Sequence, residues 1–367
     1  MKKLFLSAWV IIFALISCKS ENYNITGNFE GIDQGKVYLV KAQIGELAYI
    51  DSTDINGGAF EFTGSVDFPG LYALTADNVD GYLQFFLENT DITVNATADN
   101  FNQGSVSGSS AHDLFVDYRE KMSGFEKRAT ELATEYRSLS EEGDGERAEN
   151  LLAEKYEPLM EEMTRFQKDF VNDNPGSFVS PFILYSQLWN SLDINEKEKM
   201  LVSLDGAVGE SPFVKAMEEE LANLKRVDVG EQFVDFTMDD PEGNSRSFSS
   251  FVGDGYLLLD FTASWCGPCR SINPQKVELY NDFKEYGFDI VSVSLDRSHE
   301  AWVDYIEEDD LDWYHLSDLN AWDNEAAQIY GVRSIPHGIL IDPDGVIVEK
   351  GISQDDLREK LNELLKD

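Results

Sequence analysis

The 367-residue chain is short of several residue types, and each shortage removes a class of function. It has 29 Lys and Arg against 69 Asp and Glu, a formal charge of −40. A surface so poor in cations repels nucleic acid and anionic membrane surfaces, so neither is expected as a partner. Histidine occurs only as His112, His299, His315 and His337, and cysteine only as Cys18, Cys266 and Cys269. With no second Cys pair and no histidines spaced as a metal hairpin, a zinc site of four soft ligands fits poorly, and no metal is expected. No repeat or low-complexity tract is apparent. Long apolar runs are also lacking: Leu4 to Ile16 is too short to span a bilayer.

That run follows Met1-Lys2-Lys3 and precedes Leu15-Ile16-Ser17-Cys18, so residues 1–17 read as a signal peptide. The last four residues resemble a lipobox, which implies acylation of Cys18 and a short polar tether over 18–22. A plain signal peptide with an incidental cysteine is the alternative. The expected location is the cell envelope, lipid-anchored and facing the periplasm, with a surface lipoprotein as the other option. Once Cys18 is set aside, two thiols remain, although such a compartment permits disulfides.

Those two thiols lie in Trp265-Cys266-Gly267-Pro268-Cys269, between an apolar run, Tyr256 to Phe261, that reads as a buried strand and a segment, Arg270 to Tyr286, that reads as a helix. Unpaired N–H groups and the positive end of the helix dipole favour a thiolate at a helix N-terminus. Cys266 is therefore expected as an exposed, ionised nucleophile, and Cys269, one turn inside the helix, as the thiol that resolves a mixed disulfide. A structural bridge is the competing reading, but closing so short a loop restricts the unfolded chain little.

With these residues the chain resembles the thioredoxin superfamily. The resemblance implies that Asp260, six residues before Cys266, is a buried acid that accepts the Cys269 proton through water, and that Pro274 kinks the active-site helix. It also implies that the Ile335–Pro336 bond is cis, laying the Ile335 backbone beside the thiols where a substrate strand can pair with it. A solvated carboxylate and an ordinary trans proline are the plain alternatives. Trp265 is expected to shield the thiolate and contact partners. His337 departs from the small residue usual after that proline, and serves either the thiolate, a substrate or nothing. Gly267-Pro268 resembles thioredoxin, whose potential is about −270 mV, and so implies a reductase.

Residues 228–367 are expected to form this α/β thioredoxin fold. A hairpin at Asp240-Pro241-Glu242-Gly243 and an additional helix and strand between Asp296 and Ser317 resemble the TlpA and ResA branch, whose members are tethered outside the cytoplasm. Residues 23–110 alternate β-rich runs with turns, Asn56-Gly57-Gly58 among them, and predict an antiparallel β-sandwich. They resemble a β domain of unknown function found ahead of thioredoxin domains in bacterial lipoproteins. Residues 111–227 are helical, with apolar stripes from Phe115 to Leu139 and from Leu152 to Phe170 that predict a helical hairpin. Internal packing and oligomerisation are both open to these stripes.

The activity implied is thiol:disulfide exchange without a bound cofactor, on client proteins with disulfides, reset by a membrane or envelope thiol reductant. One alternative is a peroxidase of the alkyl hydroperoxide reductase and thiol-specific antioxidant superfamily. Such enzymes carry Thr or Ser three residues before the reactive Cys and Pro four residues earlier still, where this chain has Ala263 and Leu259. Another is a binding or scaffold lipoprotein with a secondary redox domain.

Overall fold

The computed structural model describes residues 22–43, 46–206 and 208–366. The expected signal peptide, Cys18 and most of the tether lie outside the described residues. Among those described, no helix is long and apolar enough to cross a membrane. The chain divides between Lys215 and Ala216 into two compact units.

The first unit opens with eight strands: β1 (Tyr23–Glu30), β2 (Gln34–Gln43), β3 (Glu46–Asn56), β4 (Ala59–Gly64), β5 (Gly70–Ala76), β6 (Leu83–Leu87), β7 (Asp91–Thr97) and β8 (Ser105–Ser107). They form one hydrogen-bonded sheet in the order β6-β5-β2-β3-β4-β1-β7-β8. β4 and β7 bury every second residue, as a pleated strand with one wet face must. The β3–β4 connection is the two-residue turn Gly57-Gly58, both at positive φ, so that Asn56 pairs with Ala59. Glycine supplies this geometry without the Cβ clash that other residues meet. One pairing departs from the antiparallel expectation: β1 runs parallel to β7. Local alternation cannot report it, because both directions have the same period of two. Phe85 of β6 and Val94 of β7 belong to a single core with Ile25, Leu39 and Phe62, so the sheet bends over its own apolar face.

The helices follow: α1 (Ser110–Glu141), α2 (Gly145–Leu151), α3 (Glu157–Asp173), α4 (Val179–Ile183) and α5 (Ile194–Ser203), while α6 (Pro212–Lys225) crosses the division and lies in the second unit from Ala216 onward. α1 starts where Ser109 Oγ accepts from the His112 N–H at 3.0 Å. Tyr118 meets Phe170, Phe125 meets Phe166, and Arg128 pairs with Glu162, so positions climb along α1 as they descend along α3. Phe86 points to the opposite face from Phe85 and meets Phe115 and Phe182 at ring distances of 5.1 and 5.7 Å. This explains why β5 and β6 are buried almost throughout instead of on alternate residues.

In the second unit the elements are β9 (Thr237–Asp239), β10 (Ser245–Ser247), β11 (Tyr256–Thr262), α7 (Gly267–Phe283), β12 (Phe288–Ser294), α8 (His299–Glu308), β13 (Tyr314–Leu316), α9 (Glu325–Tyr330), β14 (His337–Ile341), β15 (Ile347–Lys350) and α10 (Gln354–Leu365). β9 and β10 form a hairpin across the expected Asp240–Gly243 turn. The central sheet runs β13-β12-β11-β14-β15, with β11, β12 and β13 parallel and β14 and β15 antiparallel to their neighbours. β11 is buried on both faces. Leu257, Leu259 and Phe261 pack with the two cysteines, while Leu258 faces Leu279 and Phe283 of α7 and Leu361 of α10. The apolar run at Tyr256 is therefore a central strand whose C-terminal end delivers the chain to the cysteine loop.

Candidate functional site

The loop after β11 is short and tied down from several sides. The Cys266 N–H donates to the Ala263 carbonyl at 3.1 Å. Ser264 gives its N–H and hydroxyl to the two oxygens of buried Asp296 at 2.9 and 2.6 Å, and Ser294 Oγ adds 2.7 Å to the same carboxylate. Asp296 thus locks the loop onto the end of β12. Its signal in the sequence, a carboxylate just past an apolar strand, is indistinguishable from a solvated one.

Cys266 is the N-cap of α7, with extended φ and ψ, and its Sγ accepts from the Cys269 N–H at 3.2 Å. Pro268 sits in the first turn, where a missing N–H costs nothing, and Pro274 lies within the helix as expected. Cys266 and Cys269 are joined in a disulfide with Cα atoms 5.2 Å apart. The expectation of an exposed Cys266 needs correction for this oxidised state, in which the residue is only 4 % exposed and Cys269 is fully buried. The cause is the cap itself, since Sγ turns inward to the first-turn N–H and to its partner sulfur. The exposed neighbour is Trp265, at 54 %, whose indole N–H donates to the Leu295 carbonyl at 3.2 Å.

The Ile335–Pro336 bond is cis, as the resemblance implied. Ile335 packs against the apolar cluster that holds both cysteines. His337, two residues on, is half-buried with its ring 6.4 Å from Phe261, and burial pushes its imidazole below the ordinary value, reinforced by Lys350.

Asp260 alternates with Leu259 and Phe261, so it points to the side of β11 covered by α7, the helix whose buried stripe also carries Cys269. There Lys276 Nζ lies 2.8 Å from both carboxylate oxygens, and Ser292 Oγ donates to Oδ2 at 2.8 Å. Trp313 Nε1 in turn donates to Ser292 Oγ at 2.8 Å. Both charged side chains are nearly inaccessible, at 1 % for Lys276 and 3 % for Asp260. The partners that hold Asp260 are thus a lysine and a serine, and the sequence reading contained neither. A helical-face count would have found the lysine. Cys269, Asn273, Lys276, Leu279 and Phe283 are the buried residues of α7 and recur at steps of three and four.

A second buried polar set adjoins. The Tyr305 hydroxyl shares a hydrogen bond with Thr262 Oγ1 at 2.8 Å and accepts from Asn273 Nδ2 at 2.8 Å, while Asn273 also donates to Asp309 at 2.8 Å. It fixes α7 against α8. Among the described residues, no cluster of three or more His, Cys, Asp or Glu is arranged to hold a metal. The site is therefore a strand-to-helix dithiol, capped by an indole and flanked by a cis proline, with its charge buried one layer below.

Comparison with known proteins points the same way. Residues 23–115 match the model for a domain of unknown function (DUF4369), and residues 229–350 match that of the AhpC/TSA family. The thiol-disulfide oxidoreductase ResA of Bacillus cereus is 30% identical over 167 residues, covering 46% of this chain and 91% of that protein. Human nucleoredoxin is 36% identical over 125 residues, 32% of this chain and 28% of that one. A solved thioredoxin domain of a thiol-disulfide oxidoreductase from Bacteroides vulgatus shares 36% identity, covers 38% of this chain and 98% of its own, and superposes with a TM-score of 0.35. With nine-tenths of a ResA spanned at that identity, the chain belongs to the TlpA/ResA-like branch of the thioredoxin family, a thiol:disulfide oxidoreductase carrying an N-terminal DUF4369 domain.

Proposed function

We propose that this protein is an extracytoplasmic reductase of client protein disulfides, anchored to the membrane through an acylated Cys18. The observation that supports it best is Cys266 Sγ seated at the head of α7 and accepting from the Cys269 N–H at 3.2 Å. The same N–H and the helix dipole stabilise a thiolate once the pair is reduced. In the forward reaction the Cys266 thiolate attacks a client disulfide, forming a mixed disulfide and expelling the client's other sulfur as thiolate. Cys269 then attacks Cys266, closes the Cys266–Cys269 disulfide and expels the client's second sulfur. Two electrons and two protons pass to the client, and a separate envelope dithiol returns them to the pair.

Asp260 takes the Cys269 proton through water in this reading, with Lys276 holding its carboxylate in place. Ile335 and Pro336 offer backbone to the client strand, and Trp265 covers the reacting sulfurs. We read the chain as a signal peptide (1–17), a tether (18–22), a β-sandwich domain (23–110), a helical region (111–227) and the redox domain (228–367). The AhpC/TSA match raises peroxide reduction as a second reading, but Ala263 and Leu259 stand where such peroxidases carry Thr or Ser and Pro, so peroxide turnover should be weak.

The test is a trap. Cys269→Ala should accumulate clients covalently bound to Cys266 and released by dithiothreitol, while Cys266→Ala should accumulate none. Accumulation on Cys266→Ala instead would reverse the order of attack.

A further inference from the structure

Trp322, which the sequence reading passed over, is 45 % exposed, and its ring lies 6.2 Å from that of Trp265. Two exposed indoles therefore stand side by side, one of them the residue that precedes Cys266. Solvent-facing tryptophan is costly to leave idle, and paired indoles give a rigid, apolar surface of the kind that anchors a partner chain. Trp322 also lines a cleft of about 660 Å³, together with Arg333 and with residues of α6. Arg333 lies shortly before Ile335 and the cis Pro336. The cleft is thus linked to the dithiol loop through the contact of Trp322 with Trp265, and to the proline loop through Arg333, two residues before Ile335.

In this cleft α9 ends close against α6: Gly331 has φ +67, and a Cβ there would lie 2.1 Å from Leu224 Cδ2. Its walls present Glu219, Glu220 and Asp323 against a single cation, Arg333, whose guanidinium already lies 2.9 Å from Glu220. A second copy of a chain with charge −40 would be repelled here, as would an anionic lipid surface.

We infer that this cleft seats the extended, cationic polypeptide segment that flanks a client's disulfide, with Trp322 as the specificity-determining residue at its mouth. The inference rests on the reductase reading above and adds to it the chemistry of the client. As the segment lies along the cleft, its lysines or arginines meet Glu219 and Asp323 and its chain crosses the two indoles, which brings the disulfide over Cys266.

The experiment uses the full reduced chain and two synthetic disulfide-bridged peptides of equal length, one flanked by lysines and one by glutamates, followed by rapid mixing. The cationic peptide should be reduced faster by on the order of tenfold at low salt, a margin that shrinks in about 0.5 M salt. Trp322→Ala should raise the half-saturating concentration of the cationic peptide by on the order of tenfold. Glu219→Lys with Asp323→Lys should reverse the preference between the peptides. Equal rates for both peptides in the native chain, unchanged in these variants, would overturn the cleft and leave the dithiol chemistry standing. Failure to reduce either peptide would overturn the reductase reading and the cleft together.

Discussion

The Lys276–Asp260 pair is the most consequential arrangement at the level of single residues. Two opposite charges buried from bulk solvent stabilise the fold only as a matched set, because each alone carries its full desolvation cost. Lys276→Met should therefore cost about 3–5 kcal/mol of unfolding free energy, and Lys276→Met combined with Asp260→Leu should cost less than the single change. Denaturant titration checks this, and a single variant within about 1 kcal/mol of the native chain would contradict it. His315 supplies a pH dependence. Burial lowers its imidazole to about 4, and its Nε2 lies 3.1 Å from the Leu311 carbonyl. Because the folded value is below the unfolded one, the unfolded chain binds the extra proton, and stability falls as pH drops from about 6.5 toward 4. The loss at this residue is on the order of 3 kcal/mol. His315→Leu should flatten the difference in unfolding free energy between pH 7 and pH 4.5, and an unaltered difference would remove His315 from the account.

Among the elements, β6 shows how one strand serves two layers. Phe85 belongs to the core of the sheet and Phe86 to the helices, and both rings are fully buried. Phe86→Ala should destabilise the first unit by about 3–5 kcal/mol, the range for a phenylalanine removed from a core. Thermal unfolding should show it, and a loss under about 1 kcal/mol would mean that the ring is replaceable. The same elements mark what was readable in the sequence. The strand before Cys266, the helix after it and the Asn56–Gly58 turn were legible because each is encoded by neighbours in the chain. The parallel pairing of β1 with β7 was not, because strand direction is decided by partners 67 residues apart, Asn24 with Asp91 for one. Helix α5, inside the region read as helical, carries a local start signal of its own, since Asp193 and Glu196 form a reciprocal capping box there.

For the whole molecule, the candidate site divided along the same line. Cys266, Cys269 and Ile335 of the proline loop share one apolar cluster of the second unit, as the resemblance to thioredoxins implied. The helical period puts Lys276 on the buried stripe of α7, but its pairing with Asp260 and the lock that Asp296 makes on the loop were not legible, because both exist only once distant elements meet. What the molecule does then depends on which way the Cys266–Cys269 pair moves electrons. The most direct measurement is its reduction potential, taken by equilibrating the purified chain against glutathione buffers and quantifying the free thiols. The account predicts a strongly reducing value, near the roughly −270 mV of thioredoxin. A value near the −120 mV or so of a strong oxidant would contradict it and make the protein a donor of disulfides rather than a reductant of them.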